Sequence, residues 1–378
     1  MKKIMTFAAA AAMASPLAIA TAAAGDLDIY GRAHLSVDHM DNGDDSSQFI
    51  TNNSSRLGVR GSEYLGMGLT GLFQYETTVN LGDGGDLFGA GRTSYLGLQG
   101  DFGTLLAGRL DDPLKTAMDA NQLFGDQLGD AGNFLGYGLG VALDDDGNVE
   151  LDDDGNVSGG LARGAHQNRH NNVAAYVTPE FQGFSGTFVF QPDQGSNAAI
   201  ENRYVVEGRY DAQVGEGNLF ASLGFLRATE NSLGDMFDDQ DVIQALVAYR
   251  MPGEWRVMGV FQDVSNFGLI EDNDHRVFGG GVGVNVASNT EIKGHVLVFD
   301  HREVSDVDST MFAVGVDHWL TDRTMVYGTW AMTDNDDNIA AQMNAFGHGT
   351  SDTYNGEGAT PVVGEDQWGL SVGLRHDF

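Results

Sequence analysis

The residues best able to do chemistry crowd into one stretch. Between Leu110 and His166 stand the carboxylates Asp111, Asp112, Asp119, Asp126 and Asp130. They are followed by an internal repeat, Asp144-Asp-Asp-Gly-Asn-Val149 and then Asp152-Asp-Asp-Gly-Asn-Val157. Carboxylates clustered with glycine can hold a hard cation such as Ca²⁺, with Asp144, Asp146, Asp152 and Asp154 as ligands. The spacing does not match an EF-hand loop, and Asp runs of this kind more often form a solvated acidic insertion. His166 and His170 would share one face of a helix, but on a strand they stand about 13 Å apart, too far to share a metal. The pattern after Arg169 is a strand, so no metal pair is expected there. There is no nucleophile elbow, no phosphate-binding glycine loop and no HExxH. No catalytic site or cofactor is expected.

Composition narrows the partners. Lys and Arg total 20 against 54 Asp and Glu, a formal net charge of −34, which disfavours nucleic acid. A surface so acidic and so poor in lysine suits high salt, where screening relieves self-repulsion. There are no cysteines, hence no disulfide and no thiolate site. The chain opens with Met1-Lys2-Lys3, an apolar run from Ile4 to Ala20, and small residues at Ala22-Ala23-Ala24. This is the pattern of a secretory signal peptide over residues 1–24, removed to leave residues 25–378. The remainder has no apolar run near the ~18 residues of a membrane-spanning helix. An exported chain of this kind is soluble, or it crosses a membrane as strands, whose apolar signal falls on alternate residues.

Alternation is the dominant pattern. In the segment from Asp26 to Asp38, Leu27, Ile29, Ala33, Leu35 and Val37 oppose Asp28, Arg32, His34, Ser36 and Asp38. The same period recurs in Arg203-Glu207-Arg209 against Tyr204-Val206-Tyr210, and in Glu291-Lys293-His295 against Ile292-Val296-Val298. The breaks alternate between short turns, such as Pro252-Gly253 and Ser288-Asn289, and long polar loops near His39–Asn52, Leu110–His166 and Asp334–Gly364. Short and long connections in strict alternation around about sixteen strands predict an all-β transmembrane antiparallel barrel. The last strand, Gln367 to Phe378, presents Trp368, Leu370, Val372, Leu374 and Phe378 on one face and ends on an aromatic residue.

Asp28-Ile-Tyr-Gly-Arg32, Ser55-Arg-Leu-Gly-Val-Arg-Gly-Ser-Glu63, the segment Arg92 to Arg109, Arg169 to Phe184 and the C-terminal strand occur in an order and spacing that resemble the general bacterial porins of the Gram-negative outer membrane. The resemblance implies a sixteen-stranded barrel, a homotrimer in outer-membrane lipid and lipopolysaccharide, and passive diffusion of ions and small hydrophilic solutes. It also implies assembly by the barrel-assembly machinery through the strand ending at Phe378. It makes residues 110–166 a third loop folded into the barrel, with Asp111, Asp112, Asp119 and Asp126 as acidic constriction residues. Matched motif by motif, the facing basic wall is Arg32, Arg56, Arg92 and Arg169. Alternation supports Arg32, Arg56 and Arg92, opposite Leu35, Leu57 and Tyr95, and gives Arg60 the parity of Arg56.

Arginine remains charged and presents a stiff planar fork. Set against Asp across a narrow gap, it creates a transverse field that orients polar solutes and penalises apolar ones. The same groups could simply brace the loop, and the two roles are compatible. A substrate-selective channel for sugar or anion would share this architecture. An adhesin or structural barrel usually has fewer strands and no long in-folded loop, or carries a separate domain, and a barrel enzyme needs outward Ser and His groups that the sequence does not show. The acidic loops predict a mild cation preference.

Overall fold

The computed structural model describes residues 26–82, 89–139, 159–164, 166–193, 200–230, 237–349 and 360–378. The signal-peptide segment and the Asp-rich repeat, with Asp144, Asp146, Asp152 and Asp154, lie outside the described residues.

In chain order the strands begin with β1 (Asp26–Asp41), β2 (Ser46–Asn52), β3 (Arg56–Gly66), β4 (Leu69–Thr78), β5 (Gly91–Gly100) and β6 (Gly103–Asp111). Helices α1 (Pro113–Asp119) and α2 (Gly132–Leu135) and the short strands β7 (Tyr137–Leu139) and β8 (Gly159–Arg163) follow. Then come β9 (Arg169–Val177), β10 (Phe184–Gln191), β11 (Ile200–Val214), β12 (Gly217–Glu230), β13 (Gln240–Met251) and β14 (Trp255–Ser265). The chain ends with β15 (His275–Ala287), β16 (Thr290–His301), β17 (Ser309–Thr321), β18 (Thr324–Asn335), β19 (Ile339–Ala340) and β20 (Gln367–Asp377). The wall is a closed, antiparallel, 16-strand barrel. In it β2 and β3 act as two halves of one strand, both paired with β1.

Alternation decides which side each residue faces. Leu27, Ile29 and Val37 on β1 are 59–66% exposed on the outer surface, while His34, Ser36 and Asp38 between them are buried inside. On β20, Leu370, Val372 and Leu374 point outward and Ser371 inward. A continuous exposed apolar band on a barrel is what lipid would cover.

Closure occurs between the chain ends. β1 and β20 pair from Arg32↔Asp377 to Asp41↔Trp368. Beyond that ladder, Gly31 N donates to Phe378 O at 3.0 Å and Phe378 N donates to Gly31 O at 3.1 Å. The aromatic terminus thus completes the seam.

One expectation changes. The stretch His39–Asn52 is a strand hairpin, not a long loop. β1 and β2 pair up to Asp41↔Ser46, and Asn42 Oδ1 accepts from Asp44 N and Asp45 N at 3.2 and 2.8 Å to make the turn. Its Asp, Asn and Ser content hides the strand, because a hairpin with a wet outer end needs few apolar residues. The lumen is also not uniformly polar. Leu226, Val242, Leu246, Val260, Leu297 and Phe299 face inward and are buried, because inner loops pack against them.

Gly31 is required by the seam: a Cβ there would lie 2.4 Å from Phe378 Cζ and 2.7 Å from Arg56 O. Gly31→Ala is expected to destabilise the barrel by roughly 1–3 kcal/mol through overpacking. The check is the thermal unfolding midpoint in detergent, and an unchanged midpoint would mean that the Phe378 ring moves aside without cost.

Candidate pore constriction

The third loop, residues 112–168, enters the barrel directly from β6. Asp112 and Pro113 determine how it enters. Proline fits the first helical position, whose N–H is unused, and Asp112 Oδ1 accepts from Leu114 N at 2.8 Å as the cap of α1. Asp112 Oδ2 lies 2.8 Å from His170 Nε2, and His170 Nδ1 accepts from Arg203 Nη1 at 2.8 Å. The carboxylate is fully buried. Asp112 therefore sits apart from the arginine wall and positions the helix. His170 is its partner on β9.

Beyond α1 the loop runs along the inside of β11–β18, held by cations that grip its backbone. Arg250 Nη2 donates to Ala120 O at the carbonyl end of α1, where positive charge is favoured. Arg256 Nη1 donates to Gln122 O at 3.4 Å while its other nitrogens fork onto Glu291 at 2.8 and 2.7 Å. Lys293 Nζ donates to Leu123 O at 2.7 Å, Gln127 Oε1 at 3.0 Å and Asp317 Oδ2 at 2.7 Å, so this buried ammonium uses all three of its donors. At and beyond these grips, Leu123, Phe124, Leu128, Phe134 and Leu135 bury against the apolar inner wall. Sequence reasoning missed Arg250, Arg256 and Lys293 as loop anchors. Their inward parity was visible, but nothing local says that an inward cation meets a carbonyl rather than water.

The tip is a tight turn. Asp126 takes φ +59°, a conformation that Asp tolerates better than most residues. Asp130 holds it there: Oδ2 accepts from Asp126 N at 2.7 Å and Gln122 Nε2 at 3.2 Å, and Oδ1 accepts from Gly132 N at 2.8 Å. Burial, then the neighbouring Asp119 and Asp126 carboxylates, push Asp130 well above the usual carboxylate range against the pull of the two backbone N–H groups. Burial acts on Asp126 in the same sense, but Arg56 and Arg32 outweigh it and hold the group below that range.

The turn delivers Asp126 to the opposite wall. Its Oδ2 is 2.5 Å from Arg32 Nη1 and 3.0 Å from Arg56 Nη2. Arg32 Nε also reaches Asp377 Oδ1 at 2.7 Å, and Arg375 reaches Asp377 Oδ2 at 2.8 Å. Arg92 Nε is 2.5 Å from Glu76 Oε1, which shares its carboxylate with Tyr30 OH at 3.0 Å. Arg169 lies 3.1 Å from Asp111, and Lys115 lies 3.2 Å from Asp111 and also pairs with Asp119. Arg60 is half-exposed and pairs with Asp28 at 2.8 Å. The four wall arginines are thus on one side of the lumen. Asp126 contacts two of them, Asp111 a third, and Asp119 meets Lys115 instead. Glu76 and Asp377, carboxylates of the wall itself, were not singled out in the sequence.

Arg92 reaches this face by a different route from the one expected. Tyr95 packs on the inner side with Leu106 and Leu110, whereas Leu96 is 71% exposed outside. Plain alternation from Leu96 would turn Arg92 toward lipid. An irregularity between the pairs Tyr75↔Ser94 and Thr77↔Gly91 puts an extra residue in β5 and resets the parity.

A family model described as Gram-negative porin matches residues 7–338. The chain is 29% identical over 337 residues to Outer membrane porin protein 32 of Delftia acidovorans, covering 86% of this chain and 85% of that protein. It superposes on the anion-selective porin from Comamonas acidovorans with a TM-score of 0.69 and 23% identity, over 94% of this chain and 100% of the other. The trimer form of Vibrio cholerae OmpT gives 0.62 at 18% identity, over 94% and 100%.

Two outcomes test the geometry. Asp126→Asn removes the charge shared by Arg32 and Arg56, so relative anion permeability should rise by roughly twofold or more. Reversal potentials under a KCl gradient measure it, and an unchanged value places the pair away from the ion path. The second concerns His166, on the returning leg of the loop, with Gln240 Nε2 3.1 Å from its Nδ1. Burial lowers its pKa to about 4, with Asp112 opposing and Arg203 assisting. The unfolded state binds the proton first, so the stability from neutral His166 is full above about pH 6.5 and is lost as pH falls toward 4, on the order of 3 kcal/mol. His166→Gln should flatten that part of the pH dependence of the unfolding midpoint.

Proposed function

The chain belongs to the Gram-negative porin family, and we propose, on that premise, that the salt-bridged eyelet of Asp126 with Arg32 and Arg56 governs what this outer-membrane channel passes. The carrying observation is that one loop carboxylate is clamped by two arginines of the facing wall at 2.5 and 3.0 Å. Arg92 with Glu76 and Arg169 with Asp111 extend the same alternation along the wall. Paired charges present a field across the passage with little net charge of their own. Small hydrophilic solutes orient in that field, while apolar ones lose hydration without compensation. The sign of ion preference then comes from the approaches, and in a chain of net charge −34 the acidic loops there concentrate cations.

Anion selectivity is the second reading. Arg60 stands 50% exposed on the arginine side, and the Comamonas acidovorans neighbour is described as anion-selective.

Three such chains form the working unit in this proposal, in keeping with the trimer form described for Vibrio cholerae OmpT. The outer apolar band meets lipid and lipopolysaccharide, and the strand ending at Phe378 is the segment offered to the assembly machinery. Relatives in this family are porins, and the roles assigned to these residues are those of a channel.

Reconstitution in a planar bilayer should give ohmic steps grouped in threes. Under a KCl gradient, a weak cation preference at low salt should fade as the Debye length shrinks from ~30 Å at 0.01 M to ~3 Å at 1 M. An anion preference persisting at high salt would favour the second reading, and absence of conductance would overturn both.

A further inference from the structure

The last outer loop, residues 336–366, does not stay outside. Its described part turns into the barrel: Ile339, Ala341, Met343 and Asn344 are fully buried, and Ala345, Phe346 and His348 nearly so. β19 pairs in parallel with β8, which pairs antiparallel with β7, so the last loop and the third loop share one small sheet inside the wall.

The contacts continue to the constriction itself. Gly129 N donates to Met343 O at 2.9 Å. Asn133 Oδ1, on the third loop, accepts from both Ala345 N at 2.8 Å and Phe346 N at 2.6 Å. The Phe346 ring lies on Gly132, where a Cβ would come within 2.3 Å of it, and Lys115 Nζ stands 5.6 Å from the ring centre. Gly347 takes φ +75° and abuts Asp126, whose Oδ1 would be 2.6 Å from any Cβ there. The far end is tied to the wall at the break between β2 and β3. Ser54 Oγ donates to Gly347 O at 3.0 Å, Gly349 N donates to Asn53 Oδ1 at 3.2 Å, and His348 Nε2 is 3.3 Å from Asp38 Oδ1.

We propose that residues 339–349 are a second constricting element, and that Phe346 is a positioning residue for the eyelet. This rests on the channel reading above. The segment packs beside the third loop on the β18–β20–β1 side of the lumen, where Thr333 Oγ1 donates to Ala341 O at 3.1 Å and Met343 N donates to Gln367 Oε1 at 3.3 Å. It also backs both charged groups of the loop that face the wall cluster, Asp126 through Gly347 and Lys115 through Phe346. Pore size and solute cut-off therefore depend on two loops far apart in sequence.

Single-channel conductance and liposome swelling with sugars of increasing size test this on the full chain. Replacing residues 341–361 by a short Gly-Ser link should raise conductance about twofold or more and admit larger sugars. Phe346→Cys is the milder variant, in a chain with no cysteine of its own. It should raise conductance, and attachment of a bulky methanethiosulfonate group, verified by mass, should lower it again. Wild-type conductance serves as the control for the channel reading. If the wild type conducts while Phe346→Cys, free and modified, matches it in conductance and sugar cut-off, the second constriction is overturned. If the excised chain does not fold, the Cys variant alone decides.

Discussion

Lipid offers no hydrogen bonds, so a sheet exposed to it cannot keep a free edge. The rest of this structure follows from meeting that condition at one seam, where β1 meets β20 and Gly31 exchanges two hydrogen bonds with Phe378. The seam does more than close the wall. Its register sets Arg32 opposite Asp377, and the resulting 2.7 Å ion pair aims the arginine at the lumen. From there Arg32 extends Nη1 to Asp126. The foundation of the proposed constriction is therefore the same pairing that makes the barrel possible.

A barrel of sixteen strands is too wide for its own side chains to fill. This chain fills part of the space with loops, and the wall divides accordingly. Along β12–β18 the inner face is largely apolar, and Phe124, Leu128 and Phe134 of the third loop complete a core there. Along β1, β3–β6 and β9 the inner face carries the arginines and their carboxylates. Buried loop backbone needs partners, and Arg250, Arg256 and Lys293 supply them by donating to carbonyls at 120, 122 and 123. Half of the lumen thus acts as a protein interior and half as a channel lining.

This division explains what could be seen in advance. Alternation marks side-chain direction on single strands, so the outward Leu27, Ile29 and Val37 and the inward Arg32 were legible from β1 alone. For Arg92 the parity read against Tyr95 fails, because Tyr95 faces inward and a bulge in β5 resets the alternation, and such an insertion leaves no mark in one strand's composition. Among the loop carboxylates, Asp112 stands immediately before a proline and a helix, a capping position that could have set it apart from Asp126. The inward turn of the last loop left a fainter trace. Ile339-Ala-Ala-Gln-Met-Asn-Ala-Phe346 is an apolar run within an Asp- and Gly-rich connection, and a loop that stayed in water would gain nothing from it.

The charge arrangement bears on whether the arginines brace the loop or act on solutes. A carboxylate with two guanidinium partners, as at Asp126, cannot lose one partner cheaply, because partly desolvated charge left unpaired costs several kcal/mol. That argues for bracing. Yet Asp126 and Arg56 keep about a fifth of their side-chain surface open, whereas Lys293 and its partner Asp317 are almost wholly enclosed. Water screens an open pair only partly when low-dielectric walls stand close by, so in the proposed eyelet the Asp126–Arg56 pair would still project a field into the passage. One pair can hold the loop in place and orient a passing dipole because the first task uses the contact between the charges and the second uses the sides left uncovered.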